Sequence, residues 1–251
     1  VKNKVLEFFG SGIKNLPIEF RNGIDVMTTE TACLSSVWVT DKEVKNYLEN
    51  HNRVAEYWEL KHTGLVYFDG LIKVDLSNVE PMIALPFHPS NVYTIRELLE
   101  KPYEILSKCE EEGRKLLKND KFKLTDKIVD GKIKVDQAII AGCAGGTYDN
   151  LMEAAAILDG KSIGNQLSMS VYPGSQPIYI DLVKKGAVAS FLKTGVNVKT
   201  AFCGPCFGAG DVPANNAFSI RHTTRNFENR EGSKPNDGQI AAVALMDARS
   251  I

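Results

Sequence analysis

Three cysteines carry the chemistry legible in this chain: Cys143 within Ile140-Ala-Gly-Cys-Ala-Gly-Gly-Thr147, and the pair in Cys203-Gly-Pro-Cys206. Thiolates are soft ligands that suit iron–sulfur clusters and zinc, and three protein ligands leave one coordination position for a substrate or water. An iron open in that way acts as a Lewis acid. Two rival readings use the same residues. Cys-Gly-Pro-Cys is also the pattern of a thioredoxin-type redox pair. Such a pair opens a long helix that lowers the first thiol's pKa, whereas Phe207-Gly-Ala-Gly-Asp-Val-Pro213 follows here, with two glycines and a proline where that helix would run. A structural zinc site needs a fourth ligand, for which His222 is a candidate. Gly142, Gly145, Gly146, Gly204, Gly208 and Gly210 flank the cysteines and allow close backbone approach and positive φ.

Composition sets the frame for that site. The chain has 251 residues, 43% of them hydrophobic, enough for one large domain or two ordinary ones with genuine cores. Thirty basic and 31 acidic side chains give a formal charge of -1, so no global field favours nucleic acid or an anionic membrane. An anionic ligand must therefore be held by local arginines. No run of eighteen apolar residues and no signal-peptide pattern is present, which points to the cytoplasm. An odd count of five cysteines fits reduced thiols and a metal site better than a disulfide framework. Cys33 and Cys109 read as small apolar residues, and a start at Val1 points to a piece of a longer protein.

The elements that must position these residues alternate between strands and helices. Thr40-Asp-Lys-Glu43 reads as a capping box for a helix over 41–50, and Thr94-Ile-Arg-Glu97 as a second one. Residues 64–68 and 70–74 read as short strands around a turn, and Met82-Ile-Ala-Leu-Pro86 as an apolar run leading into a loop that carries His88. The charge-rich stretch 101–127 offers little for a core, which places a domain boundary there. Beyond it the pattern is βα: a strand over 135–141, a helix over 149–158 stopped by Gly160, a strand over 167–172, a helix entered through Pro177, and a helix over 187–193 ended by Gly195. Open α/β sheets place ligands on loops at the carboxyl edge, where this pattern puts Cys143.

The order of motifs resembles the aconitase and isopropylmalate isomerase superfamily of iron–sulfur hydro-lyases. The landmarks are Ile24-Asp-Val-Met-Thr-Thr-Glu-Thr-Ala-Cys-Leu-Ser-Ser-Val37, Asp75-Leu-Ser-Asn-Val-Glu-Pro81, the Cys143 loop, Val171-Tyr-Pro-Gly-Ser-Gln176, the Cys203 and Cys206 pair, and Arg225-Asn-Phe-Glu-Asn-Arg230. The resemblance implies two α/β domains of the aconitase iron–sulfur type, three-layered with mainly parallel sheets, over 1–125 and 126–251. These correspond to the second and third of the family's four domains. It implies a 4Fe-4S cluster held by Cys143, Cys203 and Cys206, with Arg225 and Arg230 as carboxylate-binding residues and Glu30 as a catalytic residue near the substrate hydroxyl. The chemistry agrees, since guanidinium forks grip carboxylates bidentately and a glutamate can relay a proton. His88 and His222 match no functional position.

Departures from the family pattern fall beside the cluster. Cys143-Ala-Gly145 stands where the family has Cys-Thr-Asn, and Thr224 and Val26 stand where it has asparagines. Polar groups around a cluster tune its potential. The implied activity is hydration or dehydration of a di- or tricarboxylic hydroxy acid. The family's general base and further domains have no counterpart here and are expected on the same polypeptide or a partner subunit, which leaves the isolated chain inactive. The alternative is a cluster-free binding or regulatory protein; the near-neutral charge disfavours RNA as its ligand.

Overall fold

The computed structural model describes residues 1–251, which divide into two compact units, Val1–Glu80 and Pro81–Ile251. In the first unit, β1 (Val5–Phe8) pairs in parallel with β2 (Ser35–Trp38), joined through α1 (Ile18–Thr28). The crossover is held by polar anchors. Arg21 is buried and donates to the carbonyls of Ile13 and Leu16 and to Asp41, while Asp25 Oδ1 accepts from Ser36 Oγ and Trp38 Nε1. Then comes α2 (Lys42–Asn50), capped by Asp41, whose carboxylate accepts from the Glu43 and Val44 amides. Thr40 is therefore not the cap; its hydroxyl bridges the Trp58 carbonyl and the Leu60 amide instead. Residues 64–74 form no strand. Leu65, Tyr67, Leu71 and Ile72 stay exposed, so the alternating pattern there has neither a pairing edge nor a core to bury into.

The second unit is built on a sheet of seven strands. In chain order these are β3 (Met82–Ala84), β4 (Val92–Thr94), β7 (Gln137–Ala141), β8 (Ser168–Tyr172), β9 (Asn197–Val198), β10 (Phe218–His222) and β11 (Ala242–Leu245). β5 (Ile128–Val129) and β6 (Lys132–Ile133) form a separate small hairpin. The sheet order is β4-β3-β11-β10-β7-β8-β9. From β11 to β9 all neighbours are parallel, and β3 and β4 add an antiparallel edge. The helices are α3 (Ile95–Glu100), α4 (Pro102–Leu117), the single turn α5 (Gly142–Gly145), α6 (Tyr148–Leu158), α7 (Gln176–Lys184) and α8 (Ala187–Thr194). Thr94 caps α3 in a reciprocal box with Glu97, and Gly195 ends α8 in the left-handed conformation.

Strand alternation separates two faces. Ala138, Ile140, Met169, Val171, Phe218, Ile220, Ala242 and Ala244 point to the main core, where Leu98, Ile105, Leu106, Leu151, Leu182 and Phe191 of the helices meet them. The other face mixes small apolar clusters (Ile139, Ala141 and Tyr172; Ala84, Val243 and Leu245) with buried Gln137, Ser219 and Arg221. Side chains of that face reach the segment following Cys203, so the sheet is the middle layer between helices and loop.

The expected boundary within 101–127 is displaced. α4 turns a narrow apolar stripe inward: Ile105, Leu106 and Cys109 join the core, and Phe122 and Leu124 follow. Glu110 is also enclosed, where burial pushes its pKa up but hydrogen bonds from the Thr125 and Leu124 amides, among other contacts, outweigh that, for a net fall. The stretch counted as charge-rich thus belongs to the second unit, and the contact boundary lies at Glu80 and Pro81. No helix is long and apolar enough to cross a membrane.

Candidate metal centre

The parallel strands β7, β8, β9 and β10 point their carboxyl ends to one edge, and every sequence-predicted residue of the second unit lies just beyond it. Cys143 follows β7, Cys203 and Cys206 follow β9, and Arg225 and Arg230 follow β10. The chain steps from β7 outward to β8 and β9, then returns to place β10 on the other side of β7. That reversal between β7 and β10 is a topological switch point, where open α/β sheets leave a crevice for ligands.

The cysteine loops converge there. Gly142 adopts φ +71°, and a Cβ built on it would lie 3.1 Å from Cys206 Sγ, so the Cys143 turn passes close to the second loop. Burial raises the pKa of Cys206, and the charges of Cys203 and Cys143 raise it further; the Thr224 amide and the Arg221 guanidinium pull it down. The Cys206 thiol thus lies near both Cys143 and Cys203. All three are free, Cys143 and Cys203 exposed and Cys206 half-buried. A three-residue 3-10 turn over Gly204–Cys206 stands where a redox pair would begin a long helix. No group of three His, Cys, Asp or Glu side chains is placed to hold one metal ion. A cluster asks for a different arrangement, one thiolate to each of several irons, and three free thiols on neighbouring loops, two exposed and one half-buried, fit that donor chemistry.

The arginine loop packs directly on the cysteine loop. Gly208 has φ +80°, and a Cβ there would meet Gly232 Cα at 2.6 Å and the Arg230 carbonyl at 3.1 Å. Asn226 ties the same loop to the sheet, donating to the carbonyls of Ala84 and Leu85 at 3.2 and 2.9 Å. Arg225 and Arg230 are both half-buried. Hydrogen-bonding capacity is left over in this segment: Thr223 Oγ1, Asn226 Oδ1 and Arg230 Nε are buried without a partner. Unsatisfied buried groups are uncommon and call for an explanation, and a polar ligand supplies one.

The other predicted residues fall elsewhere. Glu30 is half-buried in the 3-10 turn after α1, in the first unit, with the Thr29 hydroxyl 3.3 Å from its carboxylate. Cys109 is buried, its thiol pushed up to about 12 by burial, and bonded to the Pro86 carbonyl. Cys33 donates to the Thr28 carbonyl. His222 has its pKa lowered by burial to about 4 and is neutral at pH 7; exposed His88 bonds Ser90. Sequence reasoning missed Arg221, Asp211 and Tyr172, which link the sheet to the cysteine loop. Tyr172 is raised in pKa by burial and by Asp211, whose carboxylate it bonds at 2.8 Å.

Over 249 residues the chain is 26% identical to the 3-isopropylmalate dehydratase large subunit of Lachnoclostridium phytofermentans, covering 99% of this chain and 51% of that protein. The protein of the same name from Clostridioides difficile is 25% identical over 254 residues, 99% of this chain and 52% of its own length. That of Halothermothrix orenii is 28% identical over 249 residues, at 99% and 51%. The chain spans about half the length of the curated relatives it matches. The profile of the aconitase family (aconitate hydratase) matches residues 1–251, and the chain belongs to that family.

Proposed function

We propose that this chain supplies the cluster-ligand part of an iron–sulfur hydro-lyase acting on a di- or tricarboxylic hydroxy acid. The observation that carries the reading is the close approach of the Cys143 turn to Cys206, with an arginine loop packed on the same loop, at the switch point of the parallel sheet. Cys143, Cys203 and Cys206 would hold the 4Fe-4S cluster as thiolates. When bound, the cluster supplies a Lewis-acidic iron that makes a hydroxyl a better leaving group. Arg225 and Arg230 orient the substrate through its carboxylates, because each guanidinium presents a planar pair of N–H donors. The names of the relatives support such a substrate, since isopropylmalate is a hydroxy acid with two carboxylates. Glu30, in the other unit, is a carboxylate that the family resemblance assigns to holding or relaying a proton. Because the chain spans about half of its relatives, we assign the general base and the groups that exclude water to polypeptide outside these residues, on the same chain or a partner subunit.

Binding then outlasts chemistry. The isolated 251 residues, reconstituted with iron and sulfide, should bind citrate and isopropylmalate without turning them over. Arg225→Lys and Arg230→Lys keep the charge and lose the fork, which should weaken binding by about 1.5–3 kcal/mol, roughly 10- to 150-fold in Kd. Turnover by the isolated chain would mean that the base lies within it. Unchanged binding by both variants would remove these arginines from the substrate site.

A further inference from the structure

Arg221 is among the largest fully buried side chains, 1% exposed on the loop-facing side of β10. Its Nε donates to Ser219 Oγ at 2.9 Å, Nη1 to the Pro205 carbonyl at 2.8 Å, and Nη2 to Gln137 Oε1 at 2.9 Å and the Asp211 carbonyl at 3.1 Å. All four acceptors are uncharged. Pro205 lies between Gly204 and Cys206, so the guanidinium holds the middle of the Cys203–Cys206 turn from beneath, and Asp211 ties the end of the same loop to the same group. Gln137 strengthens the tie, its Nε2 donating to the Asp211 carbonyl at 3.0 Å.

Burying a cation costs several kcal/mol unless charge of the opposite sign compensates it. Burial lowers Arg221 to about 10, and Glu231, Cys206, Asp211 and Tyr172 favour its charged form, in that order. It is cationic at neutral pH, without a carboxylate in direct contact; the carboxylates of Glu231 and Asp211 favour its charge from farther off. Neutral side chains would have satisfied the same carbonyls at lower cost. The guanidinium differs from them in its charge, held against the Pro205 carbonyl next to Cys206.

We infer that Arg221 is a positioning residue that clamps the Cys203–Cys206 turn and places a fixed positive charge behind its sulfurs, raising the reduction potential of a cluster held there. The charge half rests on the cluster reading above; the clamp half does not. A nearby cation favours the more negative, reduced state, and net charge and burial are what tune such potentials.

The test uses the full polypeptide with Arg221→Met and Arg221→Lys. In the cluster-free protein, amide exchange is followed at Cys206, Phe207 and Ala209, whose N–H groups bond to Cys203 and Gly204 carbonyls. Neither variant can make the four bonds, so both should exchange at least about tenfold faster. In the cluster-loaded protein only Arg221→Met should shift, to a more negative potential, by about a tenfold change in the oxidised-to-reduced ratio, or about 59 mV for a one-electron couple. Arg221→Lys keeps its charge and should stay near the parent value. A purely structural role would move both variants together and overturn the charge half. Parent-like exchange in either variant overturns the clamp, and Arg221→Lys decides that point if Arg221→Met does not fold. Failure of the parent protein to take up iron would remove the cluster reading and the charge half with it, while exchange alone still decides the clamp.

Discussion

Replacing Gly208 by alanine tests whether the arginine and cysteine loops form one packed unit. Two costs arise. At φ +80° a Cβ is strained whatever the surroundings, at roughly 1–2 kcal/mol. The Cβ would also lie 2.6 Å from Gly232 Cα and 2.7 Å from Gly232 N, which are backbone atoms that cannot rotate away. Overpacking of that kind costs about 1–3 kcal/mol. Gly160→Ala isolates the first cost, since Gly160 has φ +71° with nothing within 4 Å of the added carbon. The difference between the variants, about 2 kcal/mol, corresponds to a Tm gap of roughly 4–8 °C for a chain of this size. Both are to be measured by circular dichroism melts alongside iron uptake. Gly208→Ala should also bind iron and citrate more weakly, although no ligand has changed, whereas Gly160→Ala should bind both normally. Equal melting of the two variants, with parent-like binding in both, would refute the close packing of the loops.

Stability should depend on pH through His222. Its folded pKa of about 4 lies below the ordinary value of 6.5, so its contribution is full above about pH 6.5 and is lost as the unfolded chain takes up a proton between 6.5 and 4; from pH 7 to 5 the loss is about 2 kcal/mol. Urea unfolding of His222→Asn should show that much less dependence over the same interval, and an identical slope would contradict the burial argument. Removing the cap of α3 with Thr94→Ala should cost about 1 kcal/mol in the same unfolding assay, because the Thr94 hydroxyl accepts from the Glu97 amide while Glu97 answers to the Thr94 amide; no loss would show that the box is only geometric.

The parts of the molecule that sequence made legible are those governed by local chemistry. Thr94 and Glu97 name their own cap, Gly195 ends its helix by a conformation other residues resist, and Cys143, Cys203 and Cys206 stand out as candidate soft ligands by type. Features decided by tertiary partners were not legible. Residues 64–74 alternate like strands, yet they find no neighbour to pair with, and α4 looks like a charged linker until the core shows that its narrow apolar stripe is enough. Nothing in the sequence marks Arg221. Only the fold, by laying the Cys203–Pro213 segment over that face, makes it a buried cation.

The central claim, that three thiols hold one cluster, is tested most directly by anaerobic reconstitution with iron and sulfide followed by iron and sulfide analysis of the parent chain and its cysteine variants. The parent should turn brown and hold about four irons per chain. Cys143→Ser, Cys203→Ser and Cys206→Ser should each lose that iron, while Cys33→Ser and Cys109→Ser keep it. Full iron content in the Cys203 or Cys206 variant, or a parent chain that takes up stoichiometric zinc and refuses iron, would contradict the account.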